Sequence, residues 1–291
     1  MVKPIGIWVG TLLVAGVLLL SGGTHATEDA YVSLQASLEN FAQSHNGVIS
    51  VSFTDLTTNK HIGVQDDIKF NPASVIKVPV MVEVFRQVLD GRISLQDKLR
   101  MRRTDVIGGS GFLYTQKVGR TYTIRYLTEI MITHSDNTAT KMLIDHLGAR
   151  NINKTMRELG LKDTVIGSSN LLRAEGLNYS SPRDMNMLLA HIYHGNILSR
   201  DRCQEMMSIM TRQHHKWGIP KYLPGSLRIA NKTGTLNYVK NDSGIVFFEG
   251  RPYVLSVFTT KKDPNAFGLM WVPQVSRIVY EWCVASAPNN I

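Results

Sequence analysis

The sequence predicts an α/β protein of the α+β type, in which an antiparallel sheet flanked by helices is built from both chain ends and carries an inserted, mostly helical subdomain. Three observations indicate this fold. Short β-rich segments occur near both ends, helical segments fill the middle, and no Pro/Gly/Ser-rich linker divides the chain. The 291 residues, 43% of them hydrophobic, can bury one large core or two modest ones.

The first residues are typical of an export signal. An uncharged run from Ile5 to Leu20 is shorter than the roughly 20 residues that span a bilayer comfortably. Thr24 and Ala26 have the small-residue spacing of a signal-peptidase site. We interpret residues 1–26 as a signal peptide, with an uncleaved anchor formed by the apolar run as the alternative. Residues 27–291 are then a catalytic domain that is periplasmic or secreted.

The elements of the sheet come from both ends of the chain. A helix through Tyr31, Leu34, Leu38 and Phe41 opens the domain, and Gly250-Arg251 is expected to join the last two strands as a tight hairpin. The expected strands are 48–53, 61–64, 226–230, 244–249 and 252–260, followed by a closing helix around 275–282.

The middle of the chain has the periodicity of helices, with Gly148, Gly160 and Gly195 as stop signals. This helical subdomain covers roughly residues 91–212. Its expected helices are 124–133, 138–147, 152–159, 182–194 and 201–212.

Composition limits the partners. The formal net charge of +9 suits an anionic neighbourhood, such as cell-wall polymers, lipid headgroups or a carboxylate substrate, and no nucleic-acid motif is present. Cys203 and Cys283 allow at most one disulfide, and two free core cysteines remain the alternative. No His-x-His-x-Asp or His-Glu-x-x-His string occurs, so we expect no metal and no other cofactor. A monomer is expected.

Three strings carry residues suited to acyl transfer: Ser74-Val75-Ile76-Lys77, Ser135-Asp136-Asn137 and Lys232-Thr233-Gly234-Thr235. Ser74 precedes a helical stretch, so one turn places its hydroxyl and the Lys77 amine on the same face. Lysine can take a hydroxyl proton only if its pKa is lowered, and partial burial with a second cation nearby achieves this. Lys232 would be that cation. Taken singly, the first two strings also fit helix caps.

These strings, in this order, resemble the signature of class A β-lactamases and penicillin-binding proteins. The resemblance implies a β-lactamase/transpeptidase-like fold with the active site in a cleft between the two parts. It implies that Ser74 is the acylated nucleophile, Lys77 a candidate base and Ser135 the proton donor to the leaving nitrogen. Asn137 would hold the substrate amide and the catalytic lysine. Asp136 is expected to fold the turn instead.

The resemblance also assigns the third string. Lys232 and the hydroxyls of Thr233 and Thr235 would bind a carboxylate, and Gly234, on an edge strand, would let a substrate backbone lie close. The backbone N–H groups of Ser74 and Thr235 would form the oxyanion hole. Many relatives place an arginine beside this lysine. The available residues, Arg228 and Arg251, cannot be matched to that position from sequence.

Deacylation distinguishes a β-lactamase from its penicillin-binding relatives. In class A enzymes it depends on a glutamate and an asparagine four residues later. Here Glu175 lies only three residues before Asn178, and Ala174 occupies the position four residues before it. Either the loop carries a one-residue deletion and Glu175 still reaches the catalytic water, or Glu175 is an exposed loop acid. Both interpretations stay open. The nearby stretch from Gly108 to Gly111 is expected to be a loop on the cleft rim.

The sequence therefore predicts a class A-like serine β-lactamase that opens the β-lactam ring of penicillin-type antibiotics through an acyl-serine intermediate, which would confer resistance. One alternative is a penicillin-binding D-alanyl-D-alanine carboxypeptidase or transpeptidase acting on peptidoglycan peptides. The other is a β-lactam-binding sensor that is acylated without turnover.

Overall fold

The computed structural model describes residues 28–173, 176–261 and 270–286. The predicted signal segment therefore lies outside the described residues, as do Ala174 and Glu175. Within the described ranges the central element is a five-stranded antiparallel sheet. Its strands are β1 (Gly47–Asp55), β2 (His61–Val64), β7 (Ile229–Thr235), β8 (Val239–Val246) and β9 (Tyr253–Lys261). They lie in the order β2-β1-β9-β8-β7. The prediction that both chain ends build one antiparallel sheet is confirmed.

Helices cover both faces of the sheet. On one face, α1 (Glu28–Gln43) and α8 (Trp271–Ala285) bury apolar residues of alternate strand positions, such as Val51 and Leu255. The opposite face packs on the helical part of the chain through residues such as Val254 and Phe258. Because successive side chains of a strand point to opposite faces, the sheet separates two hydrophobic cores.

The helical part contains α2 (Lys77–Leu89), α3 (Ile124–Thr133), α4 (Asn137–Leu147), α5 (Ala149–Glu158), α6 (Pro182–His194) and α7 (Arg200–Thr211). Two small antiparallel pairs accompany them: β3 (Lys98–Arg100) with β4 (Thr121–Thr123), and β5 (Val165–Ile166) with β6 (Asn178–Tyr179). The α3 and α6 boundaries agree with the prediction, and the ends of α4, α5 and α7 lie within three residues of it.

The predicted strands near the C-terminus are displaced from the observed ones. The strand expected at 226–230 is observed as β7, and the strand expected at 244–249 begins at Val239. Buried polar side chains, including Lys232 and Asp242, interrupt the apolar alternation there. The hydrophobic pattern of the sequence therefore did not reveal most of either strand. The expected two-residue hairpin at Gly250-Arg251 is wrong, since the ladder of β8 and β9 ends at the Val246 and Tyr253 pair.

The two cysteines lie in different cores. Cys203 is buried in the helical part and Cys283 is buried between α8 and the sheet, and both are free. The structure therefore has two free core cysteines, which is one of the two alternatives that the sequence left open. In the described ranges no helix is both long and apolar enough to cross a membrane.

Candidate active site

Ser74 lies at the entrance to α2, in a tight 3₁₀ turn (Ala73–Ile76) that continues directly into the helix. Ala73 has the unusual φ of +48°, and its N–H donates to the Asn71 side chain at 3.0 Å. The side chain of Ser74 is partly exposed and lines a cleft of about 170 Å³. A positive φ at a residue other than glycine costs free energy, so the surrounding contacts must hold this turn, and with it the position of Ser74.

Lys77 is fully buried and is held by the second string. Its Nζ donates to Ser135 O at 2.7 Å, to Ser135 Oγ at 3.0 Å and to Asn137 Oδ1 at 2.8 Å. Within the described chain the structure shows no hydrogen bond between Lys77 and the Ser74 hydroxyl. Burial, followed by the charge of Lys232, holds the pKa of Lys77 well below its ordinary value, while Asp136 opposes the shift.

Asp136 organises the segment that presents Ser135 and Asn137. It caps α4 by accepting from Ala139 N at 2.8 Å, and its other oxygen accepts from Phe112 N at 2.7 Å and from Leu113 N at 2.8 Å. A Cβ on Gly111 would stand 2.2 Å from that oxygen, which explains the glycine there. The prediction that Asp136 folds the turn is confirmed.

Asn137 connects Lys77 to the loop before α3. Its Nδ2 donates to Gly108 O at 2.8 Å while its Oδ1 accepts from Lys77. Gly109 and Ser110 line the same cleft as Ser74, so the expected loop on the cleft rim is confirmed.

Lys232 approaches the same serine from the sheet. It is fully buried on β7, the edge strand of the sheet, and its Nζ donates to Ser135 Oγ at 3.1 Å and to Thr233 O at 2.7 Å. Burial lowers the pKa of Lys232 to about 7, although the nearby Asp242 carboxylate raises it. Ser135 Oγ therefore lies between two lysine amines, each of low basicity.

Gly234 accommodates the chain's own backbone. A Cβ on Gly234 would stand 2.6 Å from Pro72 O and 3.1 Å from Ser74 N, so β7 can lie against the turn of Ser74 only because this side chain is absent. From the sequence, Gly234 was expected to let a substrate backbone lie close. In the structure, Gly234 lets the protein's own backbone at Pro72 and Ser74 lie close to β7.

The backbone N–H of Thr235 points away from the neighbouring strand. Leu236 and Val239 exchange both backbone hydrogen bonds at the hairpin, so the adjacent pair, Thr235 and Lys240, is a non-hydrogen-bonded pair. Thr235 therefore keeps its N–H for the free edge of β7, where Gly234 brings Ser74 N close.

The side chain of Asn178 is used within its own loop. Its Oδ1 accepts from Gly167 N at 2.9 Å and from Ser168 N at 3.0 Å, its Nδ2 donates to Ser168 O at 3.1 Å, and it is only 2% exposed. Asn178 does not line the Ser74 cleft, whereas Leu171 and Leu172 of the same loop do. The predicted partner, Glu175, lies outside the described residues.

The remaining cleft wall was not predicted from the sequence. His215, Trp217 and Leu236 line it beside Thr233 and Thr235. The sequence offered only a His214-His215 pair with no metal motif, so no local signal pointed to this wall. The two candidate arginines lie elsewhere: Arg228 stacks on the Phe247 ring, and buried Arg251 pairs with Asp55. No cluster suited to holding a metal ion occurs among the described side chains.

Comparison with known proteins agrees with this geometry. The model of the β-lactamase enzyme family matches residues 33–283. The chain belongs to the β-lactamase enzyme family. It is 26% identical over 275 residues to a β-lactamase of Streptomyces fradiae, with 89% of this chain and 88% of that protein covered.

Solved structures of family members superpose on most of the chain. PBP-A has a TM-score of 0.82 and 35% identity, with 86% of this chain and 95% of that chain covered. The β-lactamase of Sphaerobacter thermophilus has a TM-score of 0.80 and 27% identity, with 87% and 97% covered. These likenesses confirm the predicted β-lactamase/transpeptidase-like fold.

Proposed function

We propose that the protein is an exported serine β-lactamase that opens the β-lactam ring through an acyl ester on Ser74. The observation that supports this most is the buried Lys77 amine, which joins Ser135 and Asn137 beside the cleft that exposes Ser74. All of these groups come from one chain, in keeping with a monomer. Such an enzyme would protect the cell that exports it from penicillin-type antibiotics.

The positions of these groups support the following route for acylation. The Ser74 oxygen attacks the lactam carbonyl and loses its proton to Lys77, whose lowered pKa leaves the amine able to accept it. The N–H groups of Ser74 and Thr235 stabilise the developing oxyanion. When the carbon–nitrogen bond breaks, Ser135 gives its hydroxyl proton to the leaving nitrogen and recovers one from Lys77, so the proton that Ser74 lost ends on nitrogen.

Lys232 and the hydroxyls of Thr233 and Thr235 bind the substrate carboxylate. Thr233 and Thr235 line the cleft directly, and Lys232 lies behind them with its Nζ on Ser135 Oγ. A positive charge at this place attracts the carboxylate and also lowers the pKa of Lys77.

The runner-up function is a penicillin-binding D-alanyl-D-alanine carboxypeptidase or transpeptidase, or a sensor that is acylated without turnover. Two observations favour it. The side-chain amide of Asn178 makes its hydrogen bonds within its own loop. In addition, PBP-A, at 35% identity, is among the solved relatives. An L158E mutant of PBP-A has been solved as an acyl-enzyme complex with penicillin G. These functions share the acylation step and differ in the fate of the ester.

The deciding experiment is burst kinetics with a chromogenic cephalosporin on the wild type and on Glu175→Gln. For a β-lactamase we expect continuous turnover in the wild type, and a stoichiometric burst followed by a stall in the variant, because a fast water attack needs a base within reach. The control is Glu249→Gln, since Glu249 is an exposed acid in the connection after β8.

Other outcomes select the alternatives. A burst and stall in the wild type, with slow release of D-alanine from a D-Ala-D-Ala peptide, would select the peptidase. A stall with no peptide turnover would select the sensor. No mass adduct on Ser74 with any β-lactam would contradict all three functions.

A further inference from the structure

The cleft that exposes Ser74 has one imidazole in its wall. Among the described residues that line it, His215 is the side chain that can gain a positive charge near neutral pH, because the others are apolar, hydroxyl or amide groups or glycine. The His215 side chain is accessible to solvent, and it shares the cleft wall with Thr233 and Thr235. Lys232, although close, is fully buried.

The protein holds this histidine in place through the segment before Ser135. His214 N donates to Thr133 O at 3.0 Å, and the buried Gln213 donates to Ile132 O at 2.8 Å. Gln213 Oε1 in turn accepts from His215 N at 3.0 Å. The backbone of His215 is therefore tied to the end of α3, just ahead of Ser135.

Among the described side chains, no arginine lines this cleft. Arg228 and Arg251, the residues considered from sequence, are engaged with Phe247 and Asp55 and do not line the cleft. A carboxylate in the cleft would thus meet the hydroxyls of β7, the buried charge of Lys232 and the imidazole of His215.

We propose that His215 is a binding residue for the substrate carboxylate, and that its protonation makes carboxylate-bearing substrates bind more strongly as the pH falls. This inference rests on the proposed function. Neutral His215 has a single N–H, which the backbone of His134 can accept, whereas protonated His215 has two N–H donors and a positive charge. Protonation therefore gives His215 a charge-assisted hydrogen bond to offer the carboxylate.

The groups around His215 explain why its charge depends on the ligand. Burial, then the charge of Lys232 on β7, hold the pKa of His215 below its ordinary value, and His214 and Lys77 on α2 act in the same direction. A backbone hydrogen bond to His134 opposes them. These groups together disfavour the charged form of His215 when no carboxylate is bound. A bound carboxylate supplies negative charge beside it and raises its pKa.

The test compares penicillin G with its methyl ester, which lacks the carboxylate, as acylating agents of Ser74. For His215→Gln we expect the second-order acylation rate with penicillin G to fall about 10-fold at pH 5.5, the scale of one charge-assisted hydrogen bond, and less at pH 7.5. The rate with the ester should stay within about twofold. His215→Arg should keep the preference for the acid but lose the part of its pH dependence that comes from the histidine. His194→Gln is the matched control, since His194 is exposed at the end of α6 and does not line this cleft.

The proposal would be overturned if His215→Gln slowed acylation by penicillin G and by its methyl ester equally. It would also be overturned if the ratio of the wild-type rate to the variant rate with penicillin G did not change with pH. Either result would leave acylation of Ser74 itself intact. Titration of the His215 imidazole by NMR with ring-opened penicilloate gives a second readout that needs no acylation. We expect this carboxylate ligand to raise the pKa of His215, and an unchanged pKa with bound ligand would also overturn the inference. Absence of any Ser74 adduct would instead contradict the proposed function.

Discussion

Gly234 lies directly against Ser74: a methyl group built on Gly234 would stand 3.1 Å from the Ser74 backbone nitrogen. The closest obstacle is Pro72 O at 2.6 Å, which is a backbone atom and cannot move aside as a flexible side chain would. The absence of a side chain at Gly234 therefore lets the edge strand lie against the turn that carries Ser74.

Gly234→Ala should slow acylation of Ser74 by about 100-fold, the cost of a displacement of roughly 1 Å at a reacting group. The added methyl group forces β7 away from Ser74 and separates the two N–H groups of the oxyanion hole. Stopped-flow acylation by penicillin G measures the effect. Gly225→Ala is the control, because in the described part of the chain no atom beyond its two chain neighbours lies within 4 Å of a Cβ there. Similar rates in both variants would show that the contact does not hold the oxyanion site.

Asp242→Asn should move the high-pH loss of acylation by carboxylate substrates to lower pH. Burial lowers the pKa of Lys232 to about 7, and the Asp242 carboxylate partly offsets this, so without that charge Lys232 loses its proton at lower pH. Asparagine can still accept from Ile219 N, which Asp242 does at 2.8 Å. Below pH 7 the variant and the wild type should converge, because the pKa of Asp242 is itself raised, by burial, to about 7.

The measurement for Asp242→Asn is the pH profile of acylation with penicillin G, and its methyl ester reports effects unrelated to the carboxylate. Asp67→Asn is the matched control, since Asp67 is exposed. A profile identical to the wild type would mean that Asp242 does not set the charge of Lys232.

Ser256→Ala should leave the free energy of unfolding unchanged or raise it by up to about 1 kcal/mol. Ser256 lies opposite Ser52 on β1 and Ser243 on β8, and the buried hydroxyls of Ser243 and Ser256 have no hydrogen-bond partner in the described protein. Removing an unpaired hydroxyl sacrifices no bond. Urea unfolding gives the free energies.

Ser50→Ala is the comparison for Ser256→Ala, since Ser50 Oγ donates to Gln65 O at 2.6 Å and its loss should cost about 1 kcal/mol. If Ser256→Ala lowered the free energy of unfolding as much as Ser50→Ala does, the result would contradict the prediction and indicate ordered water along this row of hydroxyls. The row continues across the sheet to Lys232, which lies opposite Ser243.

Sequence reasoning succeeded where chemistry and local geometry coincide. The strings at Ser74, Ser135 and Lys232 each lie at the end of a helix or on a strand. Their residue types and spacing therefore predicted the local secondary structure of each string as well as the family. It was less successful on β7 and β8, where buried Lys232 and Asp242 break the apolar alternation that marks a strand. A buried charge is tolerated there because groups distant in sequence surround it.

The sequence by itself determined the α+β class, the family, and which side chains are the candidates for acylation chemistry, because these depend on residue type and on spacing within one turn or strand. Tertiary structure alone decided that Gly234 serves the protein's own backbone, that Asn178 is occupied within its loop, and that His215 enters the cleft. Each of these depends on contacts between segments far apart along the chain, and a close approach, a shared hydrogen bond or a cleft wall leaves no pattern in the local sequence.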